Sequence, residues 1–213
     1  MAMSGVSFWG YDLGGFYNTG YIGNEERPNI EDYLSSVQMG LWMPLSRAHG
    51  KTPREPWQYG DMALKEVKKW INFRHRLVPY LYHTACQTHQ SGIPMIRPLV
   101  MEYPKDPIAK IQNLSYMLGD ALLISPGFDR DEYELYLPEG RWQDIESKEV
   151  YEGMTFVHIE NKAFADGGTS LRVFQKEGTS IPLFAQKEVL HVPAQLWKQE
   201  DLEFMIFQKK DVD

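Results

Sequence analysis

The sequence contains one cysteine, Cys86, which excludes an internal disulfide and any metal site built from cysteines alone. It also lacks an excess of basic residues: 22 Lys and Arg stand against 29 Asp and Glu, for a net charge of −7. This charge argues against a nucleic-acid partner, which needs clustered basic side chains. No apolar run approaches the roughly 20 residues that cross a bilayer, and no basic stretch with an apolar segment opens the chain. We therefore expect a soluble protein without a membrane partner. The missing signal peptide favours the cytoplasm, although the compartment of a longer parent protein stays open.

Hydrophobic residues make up 43% of the 213 residues, enough to build a packed core. The length fits one large domain, or a main domain with a smaller one. Aromatic residues reach 13%, more than a small core usually needs, and this surplus indicates flat ligands. An apolar, glycine-rich segment begins within four residues of the start. Because full-length proteins seldom begin inside a core strand, we expect a truncated piece of a longer chain.

The pattern of residues 1–92 predicts an α/β arrangement. Apolar segments at 6–9 and 41–45 predict two short strands. After an exposed polar loop, a helix is expected from Pro28-Asn29, with apolar residues at helical spacing at Ile30, Tyr33, Leu34, Val37 and Leu41. A long helix is expected at 61–90, kinked at its proline.

Beyond residue 92 the period of the sequence changes. Alternating apolar and polar residues at 133–137, 155–159 and 171–174 predict strands, and glycine turns separate them. This pattern is typical of an antiparallel β domain, and we expect a β-sandwich. The expected domains are 1–92, 93–190 and 191–213, the last being the start of a further β segment or a tail.

The first part has two βα units of a parallel architecture, and two units alone cannot close a sheet or a barrel. In an eight-unit barrel of about 250 residues, the active-site residues lie on the loops that follow the strands. The loop at 9–16, rich in aromatic residues and glycine, and the loop at 47–49 occupy that position. We therefore expect the site residues in these two loops.

Asp12 directly follows the first expected strand. Its carboxylate could hold sugar hydroxyls or orient an arginine, because aromatic faces stack on sugar rings and a few polar groups fix their orientation. The other interpretation is an Asx turn among glycines, and the residues alone leave both open. His49, two residues after Arg47, could donate to a ligand hydroxyl. Taken alone, a histidine satisfied by loop backbone is the better interpretation of His49.

No group of residues has the spacing of a metal or cofactor site. His75, His83 and His89 lie eight and six positions apart on one helix, rather than one turn apart. The acidic run that includes Asp129 lacks the glycine and the spacing of a calcium loop, and a structural cation there stays open. Signatures for dinucleotides, phosphate loops and serine hydrolases are also missing. We therefore predict no metal ion and no organic cofactor.

Several blocks of the sequence resemble signatures of family-31 glycoside hydrolases, the α-glucosidase and α-xylosidase group. The blocks occur in the family's order and cover residues 4 to about 184. No single block identifies the family, but the whole set is a strong signal. They are SGVSFWGYDLGGF (4–16), PLSRAHG (44–50), REPW (54–57), RLVPYLY (76–82), GIPMIRP (92–98), YMLGDALLISP (116–126) and YLPEGRW (136–142).

The resemblance implies that residues 1–92 are the last two βα units of a TIM barrel and that the family's β-rich C-terminal domain follows. It also implies substrate-binding roles. The residue matching His49 bonds hydroxyls of the sugar in the innermost subsite, Asp12 supports that subsite, and Phe16 lines it. Arg47 and Trp9 are weaker members of this set.

Family members are retaining enzymes that use two aspartates, and retention needs two carboxyl groups about 5 Å apart. In the family both aspartates lie on earlier barrel strands, so we expect no catalytic residue in this chain, which would be inactive alone. The expected function is that of a part of a retaining α-glycosidase acting on terminal α-linked glucose or xylose in oligosaccharides. Unpaired strand edges predict association, either with the missing N-terminal part of the barrel or with a second copy.

Two alternatives to the glycosidase hypothesis stay open. One is a non-catalytic carbohydrate-binding protein that uses Trp9, Phe16, Trp57 and His49. The other is a structural β module in which the barrel segment binds nothing.

Overall fold

The computed structural model describes residues 1–16, 28–51, 53–127, 131–161, 171–185 and 197–209. Most of the expected polar loop (17–27), Asp129 of the acidic run and the glycine turn at 167–168 lie outside the described residues. No described helix is long and apolar enough to cross a membrane.

The first part of the chain is an α/β unit, as predicted. Strands β1 and β2 pair in parallel, with Gly10 opposite Leu45 and Asp12 opposite Arg47. In the described residues of this part, three α-helices are present, one between the strands and two after them. The elements are β1 (Gly10–Asp12), α1 (Ile30–Gly40), β2 (Leu45–Arg47), α2 (Asp61–Arg76) and α3 (Val78–Ser91).

Both strands begin about four residues later than predicted. The segment expected at 41–45 mostly completes the turn after α1, because the Trp42 and Met43 amides donate to the carbonyls of Met39 and Gly40. These amides are therefore not free to pair with a strand. Because β2 begins only at Leu45, its partner β1 begins at Gly10. Of the apolar segment at 6–9, Trp9 still contacts β2, since its carbonyl accepts a hydrogen bond from the Leu45 amide at 3.3 Å.

Helix α1 follows the prediction. The Asn29 side chain caps it by accepting a hydrogen bond from the Asp32 amide at 2.8 Å. Its apolar face is buried against α2, in a core cluster that includes Tyr33, Leu34 and Val67.

The single kinked helix expected at 61–90 is instead two helices. Helix α2 ends at Arg76 and α3 begins at Val78, with Leu77 between them. Pro79 explains the break, because its ring has no amide hydrogen and clashes with the carbonyl four residues before it.

The second part is an antiparallel β domain, which confirms the prediction for this region. A six-stranded sheet has the order β3-β4-β5-β10-β7-β8, and two further pairs are β6–β9 and β11–β12. A short helix, α4 (Leu99–Glu102), follows β3. The strands are β3 (Ile96–Pro98), β4 (Tyr116–Leu118), β5 (Leu122–Pro126), β6 (Glu132–Leu137), β7 (Arg141–Asp144), β8 (Val150–Glu152), β9 (Thr155–Glu160), β10 (Leu171–Lys176), β11 (Thr179–Phe184) and β12 (Leu202–Phe207).

The central strands β4, β5 and β10 are buried on both faces of the sheet, and alternation along them divides the core in two. From β5, Leu122 and Ile124 join a cluster that contains Leu77 and Tyr80 from the helical part. Leu123, between them, joins the cluster on the other face, which the β6–β9 pair covers. Helix α3 and the residue before it therefore share one core cluster with the β domain.

Gly119 and Gly92 offer a matched test of this packing. Both have a positive φ, +64° and +76°. A Cβ at Gly119 would overlap the Tyr80 hydroxyl and lie 2.9 Å from Thr84 Oγ1, whereas a Cβ at Gly92 would meet no atom within 4 Å. We expect Gly92→Ala to lower the free energy of unfolding by about 1 kcal/mol, through backbone strain alone. Gly119→Ala should cost about 1–3 kcal/mol more, through overpacking. Denaturant unfolding followed by circular dichroism measures both, and equal stabilities would contradict the packing described here.

Candidate functional site

Asp12 and Arg47 lie side by side at the carboxyl ends of the two parallel strands. Each is the last residue of its strand, and the register places them opposite one another. The Arg47 Nε group donates to Asp12 Oδ1 at 2.5 Å. The Asp12 carboxylate thus contacts an arginine from the neighbouring strand, which is one of the interpretations that the sequence left open.

His49 and Phe16 complete the cluster. His49 Nδ1 lies 3.4 Å from Asp12 Oδ2, so the two carboxylate oxygens contact different cations or donors. The Phe16 ring stacks on the His49 ring, with centroids 5.1 Å apart and an interplanar angle of 27°. Asp12, Phe16, Arg47 and His49, which we call the strand-end cluster, are thus brought together from two loops.

Trp9 does not reach the strand-end cluster. Its half-buried side chain packs on the helix-facing side of β1, against the core shared with the β domain. Tyr11 lies on the same side, and its hydroxyl shares a hydrogen bond with Ser36 on α1. Because side chains alternate along an extended chain, Trp9 and Tyr11 face away from Asp12. The structure therefore does not bring Trp9 into the strand-end cluster, and a role of Trp9 in sugar binding stays a prediction.

The strand-end cluster is charged and open to solvent on one side. The Asp12 side chain is 21% exposed, while Arg47 and His49 are 66% and 48% exposed. The hydrogen bond from Arg47 is the main cause of a lowered pKa at the Asp12 carboxyl, and the contact with His49 adds to it against the effect of desolvation. The same bond raises the pKa of Arg47. The lowered pKa favours the ionised form of Asp12, which can accept hydrogen bonds.

Arg54 joins the two loops that carry the cluster. It is only 5% exposed, and its Nε group donates to the Gly15 carbonyl at 2.9 Å. Its own carbonyl accepts a hydrogen bond from the Tyr33 hydroxyl at 2.8 Å, which ties the second loop to α1. Phe16 follows Gly15 directly, so this bond holds the backbone next to the residue whose ring stacks on His49.

Sequence reasoning missed this role of Arg54, because an arginine between prolines is ordinarily expected to be exposed to solvent. The signal that could have found it is Gly14. At φ +80°, a Cβ there would lie 2.8 Å from the Tyr33 ring and 3.1 Å from Arg54 Cδ. A glycine in a loop can thus mark a buried arginine that packs against its backbone.

Among the described residues, Asp12 is the one carboxylate within the strand-end cluster. A hollow of about 410 Å³ lies beside it, lined by His49, Lys51, Arg54 and Glu55 among others. Over the described ranges, no three His, Cys, Asp or Glu side chains are placed to hold a metal ion. The arrangement suits a neutral ligand with hydroxyl groups, since it offers an ionised acceptor, an imidazole and an aromatic face.

Replacing Arg47 tests the electrostatics of the cluster. In Arg47→Gln the main cause of the lowered pKa is removed, so we expect the pKa of Asp12 to rise. Asp12 should then take up its proton at a higher pH than in the unchanged protein. Carboxyl ¹³C NMR titration of Asp12 measures this. As a control, Arg141→Gln removes an arginine paired with Glu152 and Glu177 in the β domain and should leave Asp12 unchanged. An unshifted Asp12 in Arg47→Gln would show that the ion pair does not set its titration.

Comparison with known protein families agrees with the two parts of the fold. Residues 1–84 match the glycosyl hydrolases family 31 TIM-barrel domain. Residues 92–188 match the glycosyl hydrolase family 31 C-terminal domain. Together these two matches include every residue of the strand-end cluster and all of β3 to β11.

Individual relatives belong to the same group. The chain is 33% identical to neutral alpha-glucosidase AB of Mus musculus, over 85% of this chain and 19% of the relative. It is 31% identical to an alpha-xylosidase of Saccharolobus solfataricus, over 87% of this chain and 25% of the relative. Its structure resembles that of a family-31 dextranase of Flavobacterium johnsoniae complexed with glucose, with a TM-score of 0.82 and 29% identity over 98% of this chain and 25% of the other.

The chain thus spans a quarter or less of the length of these three proteins. Its own sequence is nevertheless matched along nearly its whole length, first by the barrel domain and then by the C-terminal domain, in the family's order. The chain therefore belongs to glycoside hydrolase family 31.

Proposed function

We propose that this chain is part of a retaining α-glycosidase that hydrolyses terminal α-linked glucose or xylose from oligosaccharides. The strand-end cluster would form one wall of its sugar pocket. The convergence of Asp12, His49 and Phe16 at the carboxyl ends of two parallel strands carries this proposal, because barrel enzymes place their sites there. The relatives named above, an α-glucosidase and an α-xylosidase, support the substrate class.

Each member of the cluster has a distinct task in this proposal. Asp12 accepts hydrogen bonds from sugar hydroxyls, and His49 donates to or accepts from a neighbouring hydroxyl. Phe16 presents a ring face to the apolar side of the sugar. Arg47 is a positioning residue, since its bond keeps the Asp12 carboxylate ionised and fixed in orientation.

We further propose that residues 1–92 are the last two βα units of a (β/α)₈ barrel. Residues 93–190 would then be a proximal C-terminal β-sandwich domain and residues 191–213 the start of a further β segment. The parallel pairing of β1 and β2 around α1 supports the barrel assignment, because a crossover helix between neighbouring parallel strands is the repeating unit of that fold.

The nucleophile and the general acid/base would come from barrel strands outside this chain. Retention needs two carboxyl groups about 5 Å apart, on either side of the scissile bond. Within the described cluster Asp12 is the one carboxylate, and both its oxygens already contact Arg47 or His49. The chain would therefore bind sugar without cleaving it.

Sugar binding and hydrolysis can be tested separately. NMR signals of the His49 ring should shift as methyl α-D-glucoside is added. Asp12→Asn should weaken this binding by at least about tenfold, because a hydrogen bond to a charged group contributes about 1.5–3 kcal/mol. The matched control, Asp120→Asn, changes an exposed carboxyl in the β4–β5 turn and should have no effect. The chain should release no nitrophenol from p-nitrophenyl α-D-glucoside.

The outcomes separate the hypotheses. Turnover by the chain alone would show that it carries its own catalytic carboxylates. Binding by the natural chain with no turnover is also expected of a non-catalytic carbohydrate-binding protein, which the solvent-open His49 favours. That alternative is distinguished by adding the remaining barrel segment of a family member, which should restore turnover only if this chain is a glycosidase part. Unshifted His49 signals would leave the structural β module as the better interpretation.

An exposed apolar surface supports the proposal of a protein partner. Val6, Phe8 and Leu45 are 40%, 45% and 59% exposed, on or next to the two parallel strands. A parallel sheet is ordinarily covered on both faces, whereas here α1 and α2 cover one. The partner would be the missing part of the barrel or, in its absence, a second copy of the chain.

Sedimentation velocity tests this association. We expect the chain to sediment as a species heavier than 24.8 kDa, because the exposed strand face favours self-association. Leu45→Ser should shift the distribution towards the monomer. Ile111→Ser, which replaces a 76% exposed side chain in the β domain, is the matched control and should not. A monodisperse monomer of the natural chain would contradict the proposal.

A further inference from the structure

A cavity of about 240 Å³ lies where the helical part meets the β domain. One wall comes from α1, α2 and the turn after α1, and the other from β10 and the end of β7. Its main apolar lining is Trp42, Trp70, Phe73, Ile145, Leu171 and Val173. None of the residues that line it belongs to the strand-end cluster, which lies on the other side of the β1–β2 pair.

Three aromatic side chains make up much of the apolar lining of this cavity. Trp42, Trp70 and Phe73 are half-buried, so each keeps part of its ring open to the cavity. Trp42 and Phe73 have centroids 5.7 Å apart and are tilted by 48°, which leaves their faces unstacked on one another. Aromatic faces of this kind bind flat or ring-shaped ligands with an apolar side.

Charged side chains of both signs complete the lining. Lys69, Arg172, Asp144 and Glu146 all contribute to the lining, and Arg172 Nη1 lies 3.8 Å from Glu146 Oε2. The fifth charged residue, Arg74, donates to the carbonyls of Leu41 and Pro44. Its cationic head thus faces the carbonyl end of α1, where the helix dipole is negative. With charges nearly balanced, the cavity suits a neutral ligand with many hydroxyls better than an ion.

The size of the cavity fits one ring. Its volume lies below the range of about 300–1,000 Å³ that drug-sized ligands occupy. A neighbouring hollow of about 280 Å³ shares Phe73 and Ile145 with it and adds Arg76, Lys148 and Glu203 to the polar lining. The two spaces together offer room for a second ring joined to the first.

We propose that this cavity is a second carbohydrate-binding site, which takes one pyranose ring of an α-linked glucose oligosaccharide and admits the next ring into the neighbouring hollow. The proposal rests on the proposed function for its substrate class, but it uses different residues. A second site on the same chain would hold a bound oligosaccharide near the strand-end cluster and raise its effective concentration there.

The experiment is an NMR titration of the full chain with isomaltose, which reports on both sites at once. The indole signals of Trp42 and Trp70 report on the cavity, and the ring signals of His49 report on the strand-end cluster. We expect both sets to shift and to saturate. Trp70→Ala should weaken binding at the Trp42 signal about tenfold and leave the His49 response unchanged. The matched control, Phe156→Ala, removes an aromatic ring that is 51% exposed on β9, outside the cavity, and should change neither response.

A second variant tests the cavity independently, in case Trp70→Ala does not fold. Glu146→Gln changes a side chain that is 62% exposed at the cavity rim and should weaken the cavity response while leaving the thermal unfolding midpoint unchanged. A shift of the His49 signals alone would overturn the second site and leave the proposed function intact. A shift of the tryptophan signals alone would support the second site and count against the strand-end cluster. Saturation by benzoate but not by isomaltose would overturn the carbohydrate assignment, and no shift at either site would overturn both.

Discussion

The parallel pairing of β1 with β2 places Asp12 beside Arg47, and the rest of the strand-end cluster depends on this register. A slip of one residue would turn the last side chain of either strand to the helix-facing side, where Trp9 and Tyr11 lie. Three ladder positions on each strand are too few to hold this register by themselves. The helices that cover one face, and the loop contacts of Arg54, supply the remaining constraint.

The β domain stabilises this arrangement through the core cluster that it shares with the helical part. Its six-stranded sheet contributes Leu122, Ile124 and Val173 to the core that also holds Leu77 and Tyr80. Arg76 adds a polar link, because it donates to the Phe184 carbonyl and pairs with Glu203 on β12. The site loops therefore extend from a support that spans both parts of the chain, which favours a fixed geometry at Asp12 and His49.

How much of the fold and of the candidate site the sequence predicts depends on how far apart in the chain the interacting residues lie. Helix α1 and the longer strands of the β domain were predictable, because their periodicity and caps are local. The start of β2 was not, since it is set by where the turn after α1 ends. The position of β10 between β5 and β7 was also beyond reach, because pairing partners distant in the chain leave no local mark. The positions of Asp12 and His49 after strands made them candidates, whereas the packing of Trp9 and Arg54 depends on tertiary contacts that no local pattern records.

The contact of Tyr80 with the β4–β5 turn has a consequence for modularity. The Tyr80 hydroxyl donates to the Leu118 carbonyl and accepts from the Ala121 amide, so a helix matched by one family domain is bonded to strands matched by the other. The boundary between the two family domains therefore marks where one homologous region ends and the next begins. It does not divide the chain into two units that fold independently. Loops on either side of this boundary could be exchanged during evolution. The two parts themselves are not interchangeable, because separating them would expose the shared apolar core on each part and leave the buried Tyr80 hydroxyl without its hydrogen-bond partners.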